Sequence, residues 1–297
     1  MKRVGIAAIA LLAGATVLTA QQRNITVKGS DTLVILGQRW AEVYMKYNPG
    51  VTIQVTGGGS GTGIAALINA TTDIAEASRP MKERELAALK QKRGKQALEL
   101  PVAVDGLAVY LNQENPVKEL SLAQLKAIYT GAVKNWADLG GRDQRIILYG
   151  RENNSGTYVY FKEHVLEKAD YHPSMQTLPG TAAVIHAVAN DPRGIGYGGI
   201  AYASGVKAIR VKKDAISSGV EPTMENVLAG HYPISRYLYW YFAGAPTGEL
   251  KEFARWVVSQ EGQEVVEKVG YYPLSEQDRV ASAAKLDAGK RKPAATR

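Results

Sequence analysis

The sequence predicts an α/β protein of two lobes, with mixed or parallel sheets flanked by helices and a hinge of two crossing strands. Three observations lead there. Short apolar strands alternate with helical patterns along most of the chain. Two long apolar runs, Leu100–Asn112 and Tyr232–Ala243, match each other in length and character. Polar loops rich in glycine and hydroxyls fall between strand and helix, where ligands bind in such sheets.

The elements follow in order. "NITV" (24–27) is a short strand. After "GSDT" come Leu33, Leu36, Trp40, Val43 and Tyr44 at helical spacing, with Asp31 or Thr32 as the N-cap. "NPG" (48–50) stops that helix and turns the chain. "VTIQV" (51–55) alternates as a strand and leads through "TGGGSGTG" into a helix carrying Ile64, Leu67 and Ile68. "DIAEAS" (73–78) is a strand ending at Arg79-Pro80, and residues 82–93 form a charged surface helix. Beyond the first long strand, Leu122, Leu125, Ile128 and Tyr129 mark another helix. "RIILYGRENNSGTYVYFKEHVL" (145–166) repeats strand, polar loop and helix, and "RGIGYGGIAYA" (193–203) is strand and turn. After the second long strand, a helix with Phe253, Trp256 and Val257 closes the fold.

The long strands divide the chain. Residues 21–107 with 234–275 form the first lobe and 108–233 the second, with the long strands crossing between them. Residues 1–20 read as a secretory signal peptide: Lys2 and Arg3, an uncharged apolar run to Leu18, then Thr19-Ala20. Residues 276–297 read as a basic, flexible tail, because "KLDAGKRKPAATR" lacks apolar periodicity.

Composition narrows the function. The chain has 297 residues, 45% hydrophobic and 22% charged, enough for two packed cores rather than a disordered segment. It contains no cysteine, which excludes disulfides and a lipid-modified N-terminal cysteine and places the mature protein free in a periplasm. The formal charge of +8 is a spread excess that suits small anions better than a nucleic-acid partner.

Several chemistries fail on spacing. The loop "GGGSGTG" lacks the Gly-Lys-Ser/Thr of a nucleotide P-loop. Gly194, Gly196 and Gly199 match a dinucleotide pattern but lie outside a strand-to-helix junction. No G-x-S-x-G elbow occurs, and His164, His172, His186 and His231 show no metal-ligand spacing. A hydrolase needs a nucleophile with a base, or a metal, and neither arrangement is present. What remains is three polar helix starts at Thr32, Ser60 and Ser155-Gly156-Thr157, with Arg151 four residues before the last. Helix starts present free N–H groups and partial positive charge, hydroxyls add donors, and glycine admits close approach. Converging on one point, they make a cage for a small oxyanion. Arg151 adds a fork suited to two oxygens.

The stretches "GSDTL" (29–33), "GGGSGTG" (57–63), "DIAEASRP" (73–80), "LKAIYTGAVKNWADL" (125–139), "RENNSGT" (151–157) and "GIGYGGIAYA" (194–203) together resemble the phosphate-binding proteins of bacterial phosphate ABC transporters. The resemblance covers nearly the whole mature chain and implies a type II periplasmic-binding-protein fold. It also implies binding of inorganic phosphate, delivery to a membrane permease, a monomer, no cofactor and no catalysis. By motif, the phosphate ligands fall on Thr32, the backbone of Leu33, Ser60, Ser78, Arg151, Ser155, Gly156 and Thr157. In the best-known branch an aspartate occupies the position of Ser78 and accepts the phosphate proton. With serine there, Asp31 is the first candidate acceptor, with Glu76 and Glu152 behind it, while Arg79 is left outside the core site. Another oxyanion such as sulfate, molybdate or tungstate is the alternative ligand.

Overall fold

The computed structural model describes residues 23–287. The expected leader, residues 1–20, lies outside the described residues, as do residues 288–297. The chain opens with β1 (Arg23–Gly29), α1 (Val34–Tyr47), β2 (Val51–Thr56), α2 (Ser60–Ile68), β3 (Ile74–Ala77) and α3 (Glu83–Arg93). The long strand β4 (Ala97–Leu111) leads to β5 (Glu119–Ser121), α4 (Leu122–Thr130), β6 (Ile147–Arg151), α5 (Gly156–His164), β7 (Gln176–Leu178) and α6 (Gly180–Ala189). Then come β8 (Gly194–Gly199), β9 (Lys207–Ala208), β10 (Arg210–Lys212), α7 (Met224–Leu228) and β11 (Ser235–Ala243). Helices α8 (Gly248–Val257), α9 (Gln260–Val269) and α10 (Glu276–Asp287) follow.

The main sheet runs β2-β1-β3-β11-β4-β8-β6-β7, with β9 also on β4. Strand β1 is parallel to β2 and β3, and β6 is parallel to β7 and β8. Strand β4 serves both halves. Its first part pairs antiparallel with β11, from Ala97 opposite Ala243 to Gly106 opposite Ser235. Its second part pairs antiparallel with β8, from Leu107 opposite Gly199 to Leu111 opposite Ile195. The change of partner falls between Gly106 and Leu107, so one continuous strand crosses from one half to the other. Covered on both faces, the strand from Leu100 to Leu111 is apolar apart from Asp105 rather than alternating.

Each half has its own core. In α1, Leu36, Trp40 and Tyr44 recur every four residues and face inward, with Gly37 and Ala41 beside them. Trp40 meets Trp240 edge to face at 5.3 Å, and Phe253, Val266 and Leu274 fill the same cluster. The other core centres on Leu125, Tyr129, Phe161 and Tyr197, with Phe161 and Tyr197 stacked at 4.0 Å. Gly194, Gly196 and Gly199 lie within β8 rather than at a phosphate turn. A methyl at Gly196 would come within 2.7 Å of Val184 on α6, so close helix packing explains this glycine.

The structure corrects the expected tail. Residues 276–287 form α10, not a flexible segment. Leu286 enters the first core at 1% exposure, and Asp287 Oδ1 accepts from Lys251 Nζ at 2.8 Å and Arg255 Nη2 at 2.6 Å. Ser282 Oγ donates to the carbonyl of Pro101 at 3.2 Å, tying the helix to β4. Leu286→Ala should therefore cost about 2–4 kcal/mol of unfolding free energy. Urea denaturation checks this, and a change within ~0.5 kcal/mol would mean that α10 is not part of the core.

Candidate functional site

Four loops at the carboxyl ends of parallel strands meet between the lobes. β1 delivers Ser30 to Leu33, β2 the glycine loop, β3 Ser78, and β6 Arg151 to Thr157. Helices α1, α2 and α5 start at this point and aim their N-termini at it. Gly59, the N-cap of α2, sits at φ 89°, a conformation open to glycine, and a methyl there would also strike the Asn154 carbonyl at 2.8 Å.

The hydroxyls are packed against one another across the cleft. Thr32, Ser60, Ser78 and Thr157 are fully buried. Thr32 Oγ1 lies 2.9 Å from Thr157 Oγ1, a bond between lobes. Ser78 N–H donates to Ser60 Oγ at 3.0 Å, Ser30 Oγ donates to Ser78 Oγ at 3.0 Å, and the Ser60 and Ser78 hydroxyls are 3.3 Å apart. Gly156 slots against this pair: a methyl there would sit 2.3 Å from Ser60 Oγ and 2.6 Å from Ser78 Oγ. Ser155 caps α5, its hydroxyl accepting from Tyr158 N–H at 3.3 Å. These contacts require the lobes to be together, so this is the closed arrangement.

Arg151 is a buried cation of the site, at 1% exposure. Its Nη2 donates to Asp31 Oδ2 at 2.5 Å across the cleft, and its Nη1 donates to Thr181 Oγ1 at 2.9 Å. Its Nε has no hydrogen-bond partner among the described residues. A buried guanidinium N–H without a partner is costly, so a site built this way favours an added acceptor. The second Asp31 oxygen accepts from Gly58 N–H at 2.9 Å, and Tyr202 Oη donates to the Asp31 carbonyl at 2.7 Å.

The structure thus brings Asp31, Thr32, Ser60, Ser78, Arg151, Ser155, Gly156 and Thr157 to one place. It differs on the expected cap of α1 and on the acceptors expected behind Asp31. The N-cap of α1 is Leu33, without a side-chain cap, because the Asp31 carboxylate is spent on Gly58 and Arg151 instead. The Leu33 amide closes a turn onto the Ser30 carbonyl at 2.9 Å. Glu152 is exposed and holds no position beside Arg151 in the cage. Arg79 is bound by Glu85 on α3 through both Nη atoms, at 2.8 and 2.7 Å, which keeps it out of the cage. A cavity of about 580 Å³, lined also by Arg236, opens between Arg79–Lys82 and Tyr160–His164.

Glu76 is not an acceptor for the cage either. Its side chain points into the first core, where Oε1 accepts from Trp240 Nε1 at 3.1 Å and Oε2 has no partner among the described residues. Burial, aided by the nearby Asp31 charge, pushes its pKa up to about 8, so it is protonated at neutral pH.

Sequence reasoning missed Ser30, Thr181, Asn154, Asp105 and Arg236. Asn154 pins the rim: its carbonyl accepts from Gly61 N–H at 2.9 Å and its Nδ2 donates to the Gly58 carbonyl at 3.0 Å. Asp105 and Arg236 are each the lone charge in a long apolar run, which was the available signal.

A sequence profile described as a PBP superfamily domain matches residues 14–261. The phosphate-binding protein PstS of Pseudomonas aeruginosa is 40% identical over 268 residues, covering 84% of this chain and 83% of the relative. The PstS of Bacillus subtilis is 34% identical, covering 85% and 81%. Among solved structures, a putative phosphate ABC transporter substrate-binding protein with bound phosphate from Clostridium perfringens superposes with a TM-score of 0.77 at 32% identity, covering 85% of this chain and all of that one.

Glu76 yields a pH prediction. The carboxyl ordinarily titrates at 4.5 and here at about 8. Between these values the unfolded chain has released a proton that the folded chain keeps, so rising pH erodes stability across the interval. Glu76→Gln cannot ionise and should unfold several degrees higher than wild type at pH 9, with a much smaller difference near pH 4. Thermal unfolding at both pH values checks this; equal pH profiles would show that folding does not raise the pKa of Glu76.

Proposed function

Because this chain belongs to the PstS-like phosphate-binding proteins of the PBP superfamily, we propose that it binds inorganic phosphate between its lobes and delivers it to an ABC-type importer. One observation carries the reading: hydroxyls from three helix starts meet between the lobes, and the buried Arg151, paired with Asp31 across the same cleft, has an Nε without a hydrogen-bond partner among the described residues. Thr32, Ser60 and Ser78 donate from the first lobe, and Arg151 with Ser155, Gly156 and Thr157 from the second. Only the closed form satisfies both sets, so ligand shifts the population toward closure about β4 and β11.

The chain acts as a carrier with no chemistry of its own. It works in the periplasm as a monomer, and its closed form docks on a membrane permease. The relatives described above are phosphate-binding and transport proteins, which supports this over a hydrolase. His164 bonds the Tyr160 carbonyl and His172 bonds Ser174, local partners rather than the cage hydroxyls.

Selectivity rests on a proton. Phosphate near neutral pH carries at least one and sulfate carries none. Ser78 supplies no carboxylate, so Asp31 is the acceptor for the P–OH group. Held by Arg151 and Gly58, the Asp31 carboxylate is fixed in position, and it repels an oxyanion with no proton to offer.

Titration of the ligand-stripped chain with phosphate and sulfate tests this. Wild type should bind phosphate and ignore sulfate. Arg151→Ala should weaken phosphate binding by at least about 100-fold, since a charge-assisted bond is lost at a buried site. Asp31→Asn should weaken phosphate and narrow the gap to sulfate. Wild-type affinity in Arg151→Ala would place the anion elsewhere, and tight sulfate binding by wild type would make this a receptor for another oxyanion.

A further inference from the structure

Two charged side chains interrupt the apolar strands that join the lobes, and neither belongs to the set assigned to the anion. Asp105 on β4 is fully buried and Arg236 on β11 is 7% exposed. Arg236 Nε and Nη2 both donate to Asp105 Oδ2, at 3.1 and 2.8 Å. Its Nη1 donates to the Ser78 carbonyl at 3.0 Å, and its Nη2 also donates to Thr157 Oγ1 at 3.0 Å. Asp105 Oδ1 is itself fixed, accepting from Ile200 N–H at 3.1 Å. The guanidinium carbon lies 5.2 Å from the centre of the Tyr160 ring. Carboxylate, carbonyl and ring together leave the guanidinium little freedom to turn.

This geometry settles a proton. A guanidinium only donates, so Thr157 Oγ1 accepts from Arg236. A hydroxyl carries one hydrogen, and that of Thr157 is then free to point forward, toward Thr32 Oγ1 at 2.9 Å or toward an anion oxygen between them. A hydroxyl that accepts from a cation is also the stronger donor. On the phosphate reading above, we propose that Arg236 is a positioning residue: it commits the Thr157 hydroxyl to donate to the bound anion, without touching the anion itself. Lysine cannot replace it fully, because a single ammonium lacks the planar fork that holds Asp105, the Ser78 carbonyl and Thr157 at once.

A double-mutant cycle separates this role from a merely structural one. Phosphate affinity and release rate are measured for wild type, Arg236→Lys, Thr157→Val and the double variant, with thermal unfolding as the folding check. Arg236→Lys keeps a cation beside Asp105. Should it not fold, Arg236→Gln combined with Asp105→Asn removes both charges and takes its place in the cycle. Arg236→Lys should weaken phosphate about 10-fold or more in the wild-type background, mostly through faster release. In the Thr157→Val background the same change should cost less than about 3-fold, since the hydroxyl through which Arg236 acts is gone. Equal losses in both backgrounds would overturn the inference while leaving the phosphate assignment standing. A wild-type chain that does not bind phosphate would overturn both.

Discussion

An anion removed from water needs hydrogen bonds to its oxygens from groups already in place, and this constraint organises the molecule. The contact on which the rest depends is Arg151 with Asp31, a bond of 2.5 Å between lobes. Arg151 is buried, so its charge needs a partner there. Asp31 supplies it from the other lobe, and the Thr32 and Thr157 hydroxyls meet across the same cleft. Separating the lobes separates the charges. Closure and site assembly are therefore one event.

Two separate cores make that event possible. The cluster around Trp40 and Trp240 and the cluster around Phe161 and Tyr197 let each lobe hold its share of the site rigidly. The halves are joined through β4, which changes partner from β11 to β8 between Gly106 and Leu107. The donors sit at strand ends, where parallel β-loop-α units leave helix N-termini exposed. Glycine sets the spacing. At Gly156 a side chain would occupy the space of the Ser60 and Ser78 hydroxyls, so the lobes meet only because none is there.

Much of this was legible in the sequence, for local reasons. Thr32, Ser60 and Ser155–Thr157 announce themselves as hydroxyls and glycines directly before apolar helical patterns, and Arg151 stands beside one of them. What the sequence hid depends on distant partners. Asp31 looks like a helix cap, yet its carboxylate binds a residue 120 positions away. Leu33 looks like an amide donor, yet its N–H closes a tight turn. Asp105 and Arg236 lie 131 positions apart, and only strand pairing brings them together. The helix over Glu276–Asp287 is mixed in composition, and its anchor Leu286 fits a core built from both ends of the chain.

The most direct measurement is a crystal structure of the chain with phosphate bound. The account predicts one buried phosphate touched by Thr32 and Ser60 from one lobe and by Arg151 and Thr157 from the other, with Asp31 accepting its proton. Phosphate held by a single lobe, or seated in the cavity between Arg79–Lys82 and Tyr160–His164, would contradict it.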